Sequence, residues 1–290
     1  MSERDRDSSA ISREIGDELK RFRVEAELLA SDLAALIGCS PSKISRMESG
    51  VRGYSELDVT MYLASCRASR EDVVRVLDLV REQADGYRIR QHREQLPDEL
   101  RSLIVTETQA TEIIEFEPQI IPGILQIEDY ARAVFRWFGL HDETGIDLRV
   151  RARLSRQKLL RRRDPPRFTF YLQEAALRAK VADAQVMHEQ ILHLLLTSSF
   201  EHCVIRVVPE AACPEGVLGG GFRIMRHNDT PPVAHVDNQT TTLFLEEPAD
   251  LEVYRHLLNR VARLALDGGQ SREWLAILAS EFDRAKDGAQ

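Results

Sequence analysis

The sequence predicts an all-α N-terminal domain of five helices, followed by an α+β domain with a largely antiparallel sheet. Three observations lead there. The chain has 290 residues, more than the roughly 100–200 of a usual single domain, so two domains are expected. Between residues 12 and 80 apolar positions recur at helical spacing and are punctuated by cap residues. Beyond residue 165, short β-rich runs alternate with helical stretches.

The first helix carries Ile15, Leu19, Phe22 and Ala26 on one stripe, with Asp17, Glu18, Lys20 and Arg21 expected outside. A second runs from Ser31 to Ile37 and stops at Gly38, the residue type that best tolerates the left-handed closing conformation. After Gly38-Cys39-Ser40, Ser40 is a good N-cap and Pro41 suits the first helical position, where no backbone donor is needed. This third helix turns Ile44 and Met47 inward and ends at Gly50. Ser55 with Asp58, and Ser69 with Asp72, open the fourth and fifth helices, each a cap serine followed three residues later by a carboxylate.

The stretch from Leu33 to Gly50, LAALIGCSPSKISRMESG, closely resembles the Cro/CI-type (Xre) helix-turn-helix family. The resemblance implies that the third helix enters the DNA major groove and that residues near its start reach base edges and phosphates. Ser40, Pro41, Ser42, Lys43, Ser45, Arg46 and Arg52 form the expected contact set. Arg46 is the strongest base reader, since a guanidinium can donate two bonds to guanine, and Lys43 suits guanine or a phosphate. Glu48 stands where the family carries a carboxylate that pairs with an arginine of the first helix, by register Arg23. The sequence departs from the family at the second helix, where Leu29 and Ala30 replace the usual Thr or Ser cap and a phosphate-binding Gln. A plain helical bundle with a solvated basic face is the competing reading.

The net charge of −8 is unusual for a DNA binder, so any DNA surface must be local. Between Ser40 and Ser55 the only charges are Lys43, Arg46, Glu48 and Arg52. The polar residues 1–11 read as a disordered lead without a secretory signal. No segment reaches the ~20 apolar residues of a membrane helix, so a cytoplasmic protein with no membrane role is expected. Cys39, Cys66, Cys203 and Cys213 form no CxxC pair, against both a zinc site and a disulfide framework.

Residues 81–95 read as a linker with its boundary near Gly86, and 96–285 as a regulatory or partner-binding domain. Residues 100–117 read as a helix ending before Pro118, then a proline-punctuated loop to Gln126 and a helix from Glu128 to Phe138. Strands are expected at 167–172, 202–208, 222–225, 233–236 and 240–245, and helices at 183–199, 250–266 and 271–285. The loop 116–126, with Glu174-Ala175-Ala176-Leu177-Arg178 and Gly219-Gly220-Gly221-Phe222, resembles the C-terminal domain of actinobacterial antitoxin-like regulators. That resemblance implies a small protein partner encoded nearby.

From Arg149 to Arg167 nine cations face a single acid, Asp164. The segment suits an acidic partner or DNA phosphates, although a charged helix is more often a solvated face paired with acids from elsewhere in the fold. His188 and His193 are five apart and diverge by about 140°, which excludes the zinc-peptidase pattern of histidines four apart. Gly216 to Gly221 lacks the Lys-Ser/Thr of a phosphate loop and reads as a turn or bulge. No catalytic constellation or cofactor site emerges, so an enzyme is not expected. The expectation is a sequence-specific transcriptional regulator that binds double-stranded DNA as a homodimer. A metabolite-responsive factor, or a protein that neutralises a toxin with little DNA role, is the alternative.

Overall fold

The structure, a computed structural model, describes residues 10–51, 54–81, 87–91, 97–214, 217–228, 230–238 and 241–287. The chain divides into two compact units, Met1–Ala110 with Arg226–Leu251, and Thr111–Met225 with Glu252–Gln290.

In the first unit the five expected helices are α1 (Ala10–Glu25), α2 (Ala30–Ile37), α3 (Pro41–Glu48), α4 (Glu56–Ser65) and α5 (Arg70–Arg81). Their apolar stripes converge on one core of Ile15, Leu19, Phe22, Leu33, Ile44, Met47, Val59, Tyr62, Leu63, Val76 and Leu79. The start signals act as the residues suggest: Ser55 and Asp58 form a reciprocal capping box on α4, and Ser69 Oγ accepts the Asp72 amide.

One expectation about α1 is corrected. Glu18 is not on its outer face but only 1% exposed, bonded by Arg75 of α5 at 2.7 Å and Arg21 at 3.1 Å. The apolar stripe marks one buried face, but α5 and α6 (Pro97–Gln109) also pack on α1 and cover part of its polar side. A covered carboxylate survives there because two guanidiniums neutralise it.

The unit is completed by β1 (Tyr87–Gln91), β6 (Val233–Asp237) and β7 (Thr241–Leu245), paired antiparallel in the order β1-β7-β6. Arg13 of α1 is buried 3.6 Å from Glu246 just after β7; burial pushes its guanidinium down and Glu246 opposes that. The expected linker 81–95 therefore contains a strand, and 97–110 groups with the N-terminal helices. Local composition reads β1 as polar linker; its strand state comes from pairing with a segment more than 150 residues away (Tyr87 opposite Leu245). Residues 1–9 and 82–86, and so Gly86, lie outside the described residues.

In the second unit β2 (Glu112–Glu117), β3 (Arg167–Gln173) and β4 (Cys203–Val208) run parallel, with β5 (Phe222–Arg226) beside β2. The helices are α7 (Glu128–Phe138), α8 (Glu143–Arg156), α9 (Glu174–Arg178), α10 (Ala184–Thr197), α11 (Pro248–Leu264) and α12 (Gly268–Asp287). The α+β class with antiparallel pairing holds, and the parallel run β2-β3-β4 is added to it. Its origin is a second correction: residues 112–117 are strand, not the end of a helix. Glu-Ile-Ile-Glu-Phe-Glu suits a strand better, and the intervening helices supply the crossovers that parallel neighbours need.

The loop after β2 is pinned from several sides. Gln126 Nε2 donates to Ile121 O at 2.7 Å, Arg153 Nη1 to Gln126 Oε1 at 2.6 Å, and Gln190 Nε2 to Leu125 O at 2.8 Å. Buried Arg223 and Glu115 pair at 2.6 Å. Gly221 precedes β5 in the expected turn, where an added Cβ would lie 2.5 Å from the Glu117 carboxylate; Glu215 and Gly216 lie outside the described residues. Among the described residues, no helix is long and apolar enough to cross a membrane.

Candidate nucleic-acid interface

Two backbone features set α3. Gly38 adopts φ 70° and closes α2 with its amide bonded to Ala35 O, so the chain turns sharply. Ser40 then accepts the Lys43 amide at 3.2 Å, and Pro41 occupies the first helical position. The start of α2 is different: Leu29 stands at its N-cap and makes no side-chain cap bond.

The inward side of α3 is locked to α1. A Cβ on Gly16 would lie 2.6 Å from Glu48 O and 2.8 Å from Gly50 N, so only glycine lets the end of α3 approach this closely. The contact is reciprocal, because Gly50 has φ 72° and a Cβ there would lie 2.7 Å from the Arg13 backbone. Gly50 reads from sequence as a helix stop, but Gly16 is missed. Its signal was available, since a glycine inside a helix costs about 1 kcal/mol and asks for a reason.

Charge fixes the same contact. Arg23 Nε and Nη2 donate to the two Glu48 oxygens at 2.6 and 2.8 Å, and Arg23 Nη1 reaches Leu28 O at 2.9 Å. Tyr62 of α4 donates its hydroxyl to Glu48 Oε1 at 2.7 Å. Burial acts to raise the Glu48 carboxyl, but the bonds from Arg23 and Tyr62 prevail and hold it below the usual range. Exposed Lys20 of α1 lies close enough to lower it further. The Arg23 guanidinium is raised, chiefly by its bond to Glu48, and Tyr62 is raised, chiefly by burial.

The outward side carries Ser42, Ser45 and Arg46, all exposed, and their side chains make no hydrogen bond or ion pair among the described residues. Ser40 and Pro41 are exposed at the helix start. Lys43 is drawn aside, with its Nζ 2.6 Å from Asp58 Oδ1, the same carboxylate that caps α4. The Asp58 carboxyl is held low by Lys43 and Ser55 against the effect of burial. Lys43, a member of the expected contact set, is thus half-exposed and shared with an acid on α4 that competes for it. Arg52 lies outside the described residues.

Helix α3 can thus present one guanidinium and two hydroxyls from a fixed base. Among the described residues, no group of three or more His, Cys, Asp or Glu side chains could hold a metal ion. His188 Nδ1 instead lies 2.9 Å from Ala279 O of α12.

A family model described as "Domain of unknown function (DUF5753)" matches residues 100–276, and one described as "Helix-turn-helix domain" matches residues 14–81. No curated protein matches the chain.

Proposed function

The chain belongs to the DUF5753 family and carries an N-terminal helix-turn-helix domain; on that premise we propose that it is a cytoplasmic transcriptional regulator of the Cro/CI type, reading an operator through residues 41–49. The observation that supports this most is the division of labour on α3. Its inner side is fixed by Gly16, Gly50, Arg23 and Tyr62, while Ser42, Ser45 and Arg46 remain exposed and unengaged. A helix held rigidly with its donors outward is what base reading requires, because each misplaced donor loses its bond. Two copies on half-sites one helical turn apart would offset the short contact list, so we propose a homodimer.

The DUF5753 region would receive the signal, in antitoxin-like fashion, from a small protein partner. A metabolite is the second reading. It is favoured by an apolar groove of about 290 Å³ between Ile120, Val134, Trp137, Phe138, Ala179, Lys180 and Val181. A ligand seated there would raise the melting temperature with its concentration.

The experiment is selection of randomised duplex DNA by the full-length protein and by Ser42→Ala/Arg46→Ala, at a stated salt concentration. Enrichment of a two-fold motif by the parent alone would support operator reading by this helix. Absence of enrichment by both would move the pure interaction role ahead.

A further inference from the structure

The second unit matches several surface arginines, exposed or half-buried, with nearby carboxylates. Arg132 bonds Glu128 and Asp147, Arg136 bonds Glu143, Arg178 bonds Glu174 and Glu281, and Arg255 bonds Glu252. The turn after α8 departs from this pattern, as do the exposed Arg260 and Arg263 of α11. Residues Gln157–Arg161 form a 3-10 helix, whose three residues per turn set Lys158 and Arg161 one above the other. Arg163 follows two residues after Arg161. All three are exposed and make no hydrogen bond or ion pair among the described residues. Asp164, the single acid of the segment, gives its backbone carbonyl to Arg162.

The turn is anchored. Leu160 is buried with its carbonyl 2.9 Å from His202 Nε2, and Gln157 Nε2 donates to Gln126 O on the pinned loop. Like charges stacked on a fixed support repel one another, and a counter-anion relieves that cost. The helix-turn-helix domain needs such help. Lys43 is neutralised by Asp58, Leu29 leaves the start of α2 without a polar cap, and the chain carries a net charge of −8. Sequence-independent affinity for DNA comes mainly from Lys and Arg against phosphates.

We infer that Lys158, Arg161 and Arg163 bind the phosphate backbone of duplex DNA and supply affinity that α3 does not. This rests on the DNA-binding reading above. The test compares the full-length parent, Lys158→Ala/Arg161→Ala/Arg163→Ala, and the charge-keeping Arg161→Lys/Arg163→Lys. Each is titrated across salt on a selected duplex and on a scrambled one of equal length. The triple variant should reduce the slope of log Kd against log salt by about 2–3 and weaken both duplexes alike, by about tenfold. The lysine variant should keep the parent slope.

An unchanged slope in a triple variant that still prefers the selected duplex overturns this inference alone, and points to an acidic protein at the turn. A reduced slope in a parent that binds both duplexes equally supports the inference while operator reading fails. No binding of either duplex by the parent overturns both.

Discussion

The inner and outer sides of α3 differ in how completely their groups are engaged. Inside, Ile44 and Met47 are buried, both oxygens of Glu48 are bonded, and two glycines let backbones meet at distances no side chain permits. Outside, Ser42, Ser45 and Arg46 are exposed and bonded to nothing described. The contrast teaches that positioning and reading are separate tasks. The first consumes its interactions within the fold, and the second, on the proposed DNA-reading role, leaves them unmade until DNA arrives.

The largest break in this arrangement is expected at the inner side. Gly50→Ala combines left-handed strain with a backbone clash against Arg13 and should cost about 3–4 kcal/mol. Urea denaturation would register it as a lower midpoint, and unchanged stability would mean that α1 and α3 are not in close contact.

Next comes Glu48→Gln, expected to cost about 2–3 kcal/mol by weakening a shielded, bidentate pair. A carboxyl held low in the folded chain contributes stability that is present above its unfolded value, about 4.3, and is lost as pH falls through the folded value. The gap in melting temperature between parent and variant should therefore be full near neutrality and narrow at acid pH. An equal gap at both would assign the effect to shape instead of charge.

The outer side should respond in the opposite manner. Arg46→Ala should leave the melting temperature unchanged within error and reduce discrimination at one operator position by about 1–3 kcal/mol. Competition binding with point-changed duplexes measures this, and a uniform loss across all positions would make Arg46 a phosphate contact. The smallest effect is expected for Lys43→Met. Its ammonium is already held by Asp58, so stability should fall by less than about 1 kcal/mol and duplex preference should barely change. A loss as large as that of Arg46→Ala would show that Lys43 leaves Asp58 when DNA binds.

Much of the candidate site was legible in the residues. Gly38, Ser40 and Pro41 announce the turn and the start of α3, and the family resemblance implies an Arg23–Glu48 pair that the side chains make. The competition for Lys43 was not legible, because Asp58 already had a sufficient local role as the capping carboxylate of α4. Likewise Glu18 reads as solvent-facing until α5 and α6 are packed on α1.

The sequence by itself determined the five N-terminal helices, most later elements, and the inward or outward position of most α3 residues. These follow from caps, turns and periodicity, whose physics acts within a few residues. Tertiary structure alone decided that 87–91 and 112–117 are strands, that residues 226–251 group with the N-terminal unit, and that Gly16 is a contact point. Each depends on a partner distant in the chain, and a strand's hydrogen bonds, unlike a helix's, lie outside its own segment.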